Sequence, residues 1–245
     1  MQTRNASEAA ATPWTLVPQG DRCLIVVFGD DIDVDTGRRC AAAAAALRAG
    51  TLDGVTDIVP TFNTVALHFR PRSGDSEDTG RRLSDDITRL LQAADLGGGT
   101  MQPSKEVDIP VCYGGAQGPD LAHVAAHCRL TESEVITLHS ATPAYVFMLG
   151  FAPGAPYIGV HDERLAIGRR STPRTALPAG SVAIANRQTM IYPNVSPGGW
   201  HIIGATPLIL FDPDKTPPTL LAPGDTVRFR PISTGEFAAL RDTAA

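Results

Sequence analysis

Residues 150–200 combine two properties that pull against each other. Gly and Pro recur at short intervals: Gly150, Pro153, Gly154, Pro156, Gly159, Pro173, Pro178, Gly180, Pro193, Pro197, Gly198 and Gly199. Yet the residues between them stay strongly apolar. A flexible linker has a different composition. The pattern predicts tight turns at fixed places between short buried strands. The polar residues left on those turns (Arg174, Ser181, Gln188, Tyr192 and His201) then become candidates for a built pocket.

The chain has 245 residues, enough for one large domain or two small ones. Its 43% hydrophobic content can bury a core. A net charge of -5 argues against phosphate-backbone binding, which needs a basic face. Cys23, Cys40, Cys112 and Cys128 are widely spaced and form no CxxC, as expected of reduced, buried thiols in a cytosolic protein. No run is long enough to span a bilayer, and the N-terminus has no apolar signal region. A cytoplasmic protein without nucleic-acid or membrane partners is therefore expected. Lysine occurs only at Lys105 and Lys215. An anion site here must use Arg or backbone N–H groups.

Residues 14–17 and 23–28 read as strands joined by a Pro18-Gln19-Gly20-Asp21 turn. Residues 33–49 carry an alanine run of high helix propensity, which Gly50 can end. Residues 55–60 and 64–69 suggest a hairpin around Phe62 and Asn63. Leu83, Ile87, Leu90 and Leu91 recur at helical spacing. The order β-β-α-β-β-α predicts a small α+β domain with helices on one face of a sheet. Gly97-Gly98-Gly99-Thr100 reads as a linker, which places domains at 14–96 and 101–240.

The second domain opens with an expected strand at 105–113 and a helix at 118–128. Thr131-Glu132-Ser133-Glu134 is a capping-box pattern ahead of a short helix reaching about His139. Further strands are expected at 145–151, 181–185, 190–192, 200–204, 208–211 and 226–230. Short strands at this spacing predict a closed barrel or a sandwich.

Several chemical motifs are missing, including the P-loop, the G-x-S-x-G elbow and H-E-x-x-H. His123 and His127 share a helix face, but two ligands fall short of a zinc shell, so no metal site is expected. The acidic run Asp30-Asp31-Ile32-Asp33-Val34-Asp35 reads as N-capping rather than a cation site. Arg169, Arg170 and Arg174 lie close together in an acidic chain. The plain reading of such a cluster is a solvated loop with ion pairs. Arg174 stands apart because it sits among turn-forming residues. Gln188 offers both donor and acceptor, which suits an amide ligand, although it could equally satisfy turn backbone. Trp200 reads as core packing before stacking platform.

The succession GF-x-PG-x-x-Y-x-G, TPR, PAGSVAIA, QT-x-IYP, SPGGW, IG-x-TP, LFDP and LL-x-PGD-x-VRF resembles the allophanate-hydrolase-subunit-1 family. Pro110-Val111-Cys112-Tyr113-Gly114-Gly115 and Gly118-Pro119-Asp120-Leu121 resemble it too. The likeness runs over roughly residues 14–235. Members of that family include the B-type subunit of a bacterial ATP-dependent 5-oxoprolinase and a sporulation kinase inhibitor. The resemblance implies an α+β N-terminal domain followed by a mainly-β, cyclophilin-like barrel domain. It also implies ATP-dependent opening of 5-oxoproline to glutamate. ATP, with Mg2+, would be bound by a complex rather than by this chain alone. The implied partners are a homologous second subunit, of the allophanate hydrolase subunit 2 or C-type oxoprolinase kind, and a third oxoprolinase subunit.

On the motif positions, Arg174 is expected to clamp a carboxylate and Gln188 to read the amide, with Ser181 and Tyr192 as further donors. Gly154, Tyr157, Thr189 and His201 are expected to contact substrate. Two rival readings follow from the same family. One is inhibition of a sensor histidine kinase; the other is a carboxyltransferase-type part of a urea amidolyase-like system. The chain departs from the pattern at Ala155, where a large apolar residue is expected, and at Asn186 and Met190, where glycines are expected. Met would tolerate a left-handed backbone poorly.

Overall fold

The computed structural model describes residues 14–71, 76–96 and 105–244. The chain divides into two compact units, residues 1–99 and 100–245. The expected linker at Gly97, Gly98, Gly99 and Thr100 lies outside the described residues.

In the first unit, β1 (Thr15–Pro18), β2 (Cys23–Val27), β3 (Val55–Pro60) and β4 (Thr64–Phe69) form an antiparallel sheet in the order β1-β2-β4-β3. The helices α1 (Val34–Ala49) and α2 (Ser76–Ala93) supply the rest. Strand alternation sends Leu24, Val26, Val65, Leu67 and Phe69 into one core with Cys40, Ala43, Ala44 and Leu47 of α1 and Leu83, Ile87 and Leu91 of α2. Asp33 caps α1: its carboxylate accepts from the Thr36 N–H at 2.8 Å and the Thr36 hydroxyl at 2.6 Å. Burial drives the Cys40 thiol up to about 12, as suits an inert core residue. The four cysteines form no disulfide.

The second unit is a closed barrel. Its strands are β5 (Glu106–Tyr113), β6 (Ala144–Leu149), β7 (Pro156–Gly159), β9 (Ser181–Ala185), β10 (Gln188–Ile191), β12 (His201–Ala205) and β13 (Thr226–Pro231), while β8 (Arg174–Leu177) and β11 (Ser196–Gly198) make a separate two-stranded ribbon. Around the barrel the order is β10-β7-β6-β13-β5-β12-β9. The β5 and β13 strands run parallel; the other paired barrel neighbours are antiparallel. Val107, Ile109, Val111, Val146, Ile158, Val182, Ile191, Val227 and Phe229 fill the interior. The helices α3 (Leu121–Cys128) and α4 (Glu132–Ser140) bury Leu121, Val124, Ala125 and Val135 against Ile184 and Ile203, and α5 (Thr234–Ala244) follows the last strand. The expected capping box is formed: Thr131 Oγ1 accepts from the Glu134 N–H at 3.2 Å, and Glu134 Oε2 accepts from the Thr131 N–H at 2.7 Å.

Several expectations need correction. Residues 208–211 do not form a strand; they make a single bridge, Phe211 to Thr219. Conversely, β7, β8 and β11 were not expected. They are three or four residues long and are flanked or interrupted by proline, which weakens the strand signal. Asn186 (φ 50°) and Arg187 (φ 63°) form the two-residue turn between β9 and β10. Asn is suited to that conformation. Met190 lies within β10 and is not among the positive-φ residues, so no backbone strain arises there. Ala155 is fully buried in the turn between β6 and β7. No helix among the described residues is long and apolar enough to cross a membrane.

Gly118 packs against the backbone opposite: a Cβ there would overlap the Ile203 carbonyl and the Gly114 amide. Gly118→Ala is therefore expected to cost about 1–3 kcal/mol, read as a lowered denaturant midpoint. Gly168, with nothing within 4 Å of its Cβ position, is the control. Gly168→Ala should change stability by less than ~0.5 kcal/mol.

Candidate functional site

Successive residues of β10 point to opposite sides of the barrel wall, and this divides the expected site residues. Gln188 and Met190 face outward. Thr189 and Ile191 face the barrel side, where Ile191 joins the interior core.

On the outer side, register aligns Tyr157 (β7), Met190 (β10), Ala183 (β9) and Ile202 (β12) in one row. The next row aligns Gly159, Gln188 and Ala185. Small residues thus flank Gln188 on both sides. Tyr192, Trp200 and Leu177 of the ribbon complete this cluster. Tyr157 meets Trp200 edge to face at 5.9 Å between centroids. Phe151, exposed and at φ 72°, meets Tyr192 edge to face at 6.2 Å. Burial raises the Tyr157 and Tyr192 phenols above their usual range, while the Arg169 charge opposes the rise at both. Both hydroxyls are protonated donors at neutral pH. The outer wall therefore gathers an amide, two phenols and an indole; Gln188, Tyr192 and Trp200 are buried and Tyr157 is half-buried.

Arg174 stands beside this face with its fork engaged. Its Nη1 and Nη2 donate to the two carboxylate oxygens of Asp120 at 2.7 and 2.8 Å. Arg170 Nη1 donates to the same carboxylate at 3.1 Å, and the Ile202 N–H adds a bond at 2.8 Å. Burial pushes the Asp120 carboxyl up, but the Arg174 fork, the Ile202 amide and the two cationic charges outweigh it and hold it below the usual carboxylate range.

The other expected residues are placed as follows. Ser181 Oγ donates to the Pro178 carbonyl at 2.7 Å, within the turn before β9. Gly154 (φ 76°) lets its loop approach Leu210 and Phe211; a Cβ would lie 2.7 Å from Phe211 Cβ. His201 points to the α3 side of β12, stacked on His123 at 5.2 Å, with Nε2 3.1 Å from the Gly168 carbonyl oxygen. Its Nδ1 is buried without a partner among the described residues. The structure thus gathers Gln188, Tyr157 and Tyr192 on one face with Arg174 at its edge. It does not bring Thr189 or His201 to that face.

Thr189 belongs to a buried chain of hydrogen bonds that sequence reasoning missed. His139 Nε2 and His161 Nε2 lie 2.8 and 2.6 Å from Thr189 Oγ1, and Tyr113 Oη lies 2.7 Å from His139 Nδ1. Phe229 packs on His139 at 4.3 Å. Burial holds His139 well below its ordinary value and His161 at about 4. Neutral imidazoles have one N–H each, so the chain is satisfied in one direction at a time. If Tyr113 donates to His139, His139 donates to Thr189 and Thr189 to His161. His139 ends a short helix and His161 follows a four-residue strand, so no local pattern pairs them.

Two outcomes follow. Asp120→Ala leaves two cations without their shared anion and should destabilise the protein by about 3 kcal/mol, the low end for a broken buried pair because both guanidinium groups keep some solvent. Denaturant melts check this. His161 has its folded value depressed, so the unfolded chain binds the extra proton. Stability is complete above about pH 6.5 and falls toward pH 4, by roughly 3 kcal/mol for this group. His161→Asn should flatten that acid limb in melts run from pH 7 to 4.

Carboxyltransferase domain, subdomain C and D, matches residues 14–221. The chain is 50% identical to the B-type subunit of 5-oxoprolinase from Haemophilus influenzae, over 87% of this chain and 96% of that protein. It is 37% identical to the B-type subunit of 5-oxoprolinase from Bacillus subtilis, over 91% of this chain and 95% of that protein. The crystal structure of TTHA0988 superposes with a TM-score of 0.72 at 34% identity, covering 86% of this chain and 40% of that longer one. With the motifs, the barrel and most of both curated relatives in agreement, the chain belongs to the carboxyltransferase domain family, subdomains C and D.

Proposed function

We propose that this chain is one subunit of a cytoplasmic, ATP-dependent complex that opens 5-oxoproline to glutamate, and that it is inactive alone. The observation that carries this reading is identity of 37–50% with proteins named as the B-type subunit of 5-oxoprolinase, spread over most of their length. The second support is the outer barrel face, where Gln188 occupies the register row next to the one that carries Tyr157 and Met190 of the aromatic cluster.

The balanced reaction takes 5-oxoproline, ATP and two waters to glutamate, ADP and phosphate. A five-membered lactam is a poor electrophile. Transfer of the terminal phosphoryl group to its carbonyl oxygen makes that oxygen a leaving group. One water attacks the carbon, the ring C–N bond breaks as nitrogen takes a proton, and a second water displaces phosphate from the resulting acyl phosphate to leave the glutamate carboxylate. In this proposal Gln188 reads the lactam amide by donating to its oxygen and accepting from its N–H. The Tyr157 and Tyr192 hydroxyls donate toward the oxygen that gains charge. Trp200 and Met190 form an apolar floor. Arg174, expected to clamp the substrate carboxylate, already holds Asp120 with both Nη atoms. Its role here is to hold β8 beside the face. Ser181, Gly154, Thr189 and His201 act by supporting turns and packing.

This proposal gives the nucleotide and its metal no ligand among the described residues. Among them no group of three or more His, Cys, Asp or Glu could hold a metal ion. The sequence carries no phosphate-cradling loop ending in Lys. ATP and Mg2+ are therefore assigned to the assembled complex, and no step through them is given to these side chains. In this reading the assembly also contains the homologous second subunit and a third one.

Co-expression of this chain with its neighbouring subunit genes tests the proposal. Glutamate should form from 5-oxoproline only with ATP and every subunit present. A stable complex that makes no glutamate would overturn it. Gln188→Leu should lower kcat/KM by about 10–100-fold through loss of an amide pair at a buried position.

A further inference from the structure

Three arginines lie near the outer face, and they are not equivalent. Arg170 and Arg174 converge on Asp120. Arg169 is exposed and forms no ion pair with any described carboxylate. Its guanidinium does not simply extend into water. Nε and Nη2 lie 3.7 Å from the point where a Gly199 Cβ would project. The next residue, Arg170, donates its N–H to the Gly199 carbonyl at 2.7 Å, so the Arg169 backbone is tied to the segment that carries Trp200. Gly198, on the other side, packs directly on the Tyr192 hydroxyl. The Arg169 charge is felt at both Tyr157 and Tyr192.

We infer that Arg169 is the specificity residue of this face, taking the carboxylate of a small cyclic amide whose amide group lies on Gln188. The inference rests on the 5-oxoproline reading of the site and adds the origin of its selectivity for an acid. A guanidinium without an anion among the described residues keeps its fork of donors for a ligand carboxylate, which it can bind through two parallel bonds. Gly199 has no side chain, so nothing from that residue occupies the space beside the fork. Tyr157, Tyr192 and Trp200 share one cluster, whose two phenols feel the Arg169 charge, and they give the ring an apolar wall on the strand wall that carries Gln188. Arg174 cannot serve this purpose without releasing Asp120 and leaving that buried carboxylate with Arg170 as its one cationic partner.

The test uses Arg169→Gln and Arg169→Lys in the assembled complex, with 5-oxoproline and its carboxylate-free analogue 2-pyrrolidinone. Arg169→Gln should raise the KM for 5-oxoproline by about 10–100-fold, the worth of hydrogen bonds to a charged group, while kcat moves by only a few fold. Turnover of 2-pyrrolidinone should be unaffected, so that discrimination between the two lactams collapses. Arg169→Lys should recover part of the KM. Unchanged KM in a folded Arg169→Gln variant, with the parent complex active, would overturn the inference and leave the reaction standing. An inactive parent complex would instead overturn the reaction. In that event calorimetric binding of 5-oxoproline and of its carboxamide to this chain decides the inference: preference for the acid that vanishes in Arg169→Gln supports it, and absence of such preference sinks it. An unchanged thermal midpoint confirms that the exposed substitution leaves the fold intact.

Discussion

The Asp120 carboxylate is the interaction on which the second unit's outer architecture depends. It sits at the start of α3, accepts from the Ile202 amide on β12, and receives guanidinium groups from Arg170 and Arg174. Its own N–H donates to the Ile202 carbonyl at 2.9 Å. A helix start, a barrel strand and the β8 ribbon are thus tied at one point. A buried anion is tolerable only when its lone pairs and charge are matched, and here they are. Without that match the ribbon carrying Leu177 would lose its anchor over the β9–β10 wall.

The barrel wall then sorts chemistry by parity. Because strand side chains alternate, neighbouring residues of β10 serve unrelated purposes. Gln188 lies on the outer wall between Gly159 and Ala185, whereas Thr189 joins two neutral imidazoles on the inner side. Shifting the β10 register by one residue would exchange them, so the Asn186–Arg187 turn that sets this register is as consequential as either side chain. The inner chain of Tyr113, His139, Thr189 and His161 is satisfied polar structure in an otherwise apolar interior.

How much of this was legible in advance follows from whether each feature is local. The first unit's β-β-α-β-β-α order, the Asp33 cap and the Thr131–Glu134 capping box depend on contacts within a few residues, and they stand where the residues suggested. Residues 208–211 looked like a strand because they are apolar, but their pairing is limited to the Phe211–Thr219 bridge and the Leu220 N–H donated to the Leu210 carbonyl at 2.9 Å. The short strands β7, β8 and β11 are held by neighbours far away in sequence rather than by their own propensity. Gln188, Tyr157 and Tyr192 were recognisable as polar or aromatic residues within a turn-rich apolar stretch. That Arg174 is committed to Asp120, 54 residues earlier, was not recognisable.

The sequence by itself determined the first unit's elements, the second unit's helices and longer strands, and the inventory of groups that could meet a small polar ligand, because periodicity, caps and turn residues act over short distances. Tertiary structure alone decided which of those groups share a face and which of the three clustered arginines stays uncommitted among the described residues. Strand parity, barrel closure and the pairing of charges bring together residues whose separation along the chain carries no signal. Thr189 turned inward and Arg174 found an internal anion for that reason, while Arg169 was left beside the aromatic face.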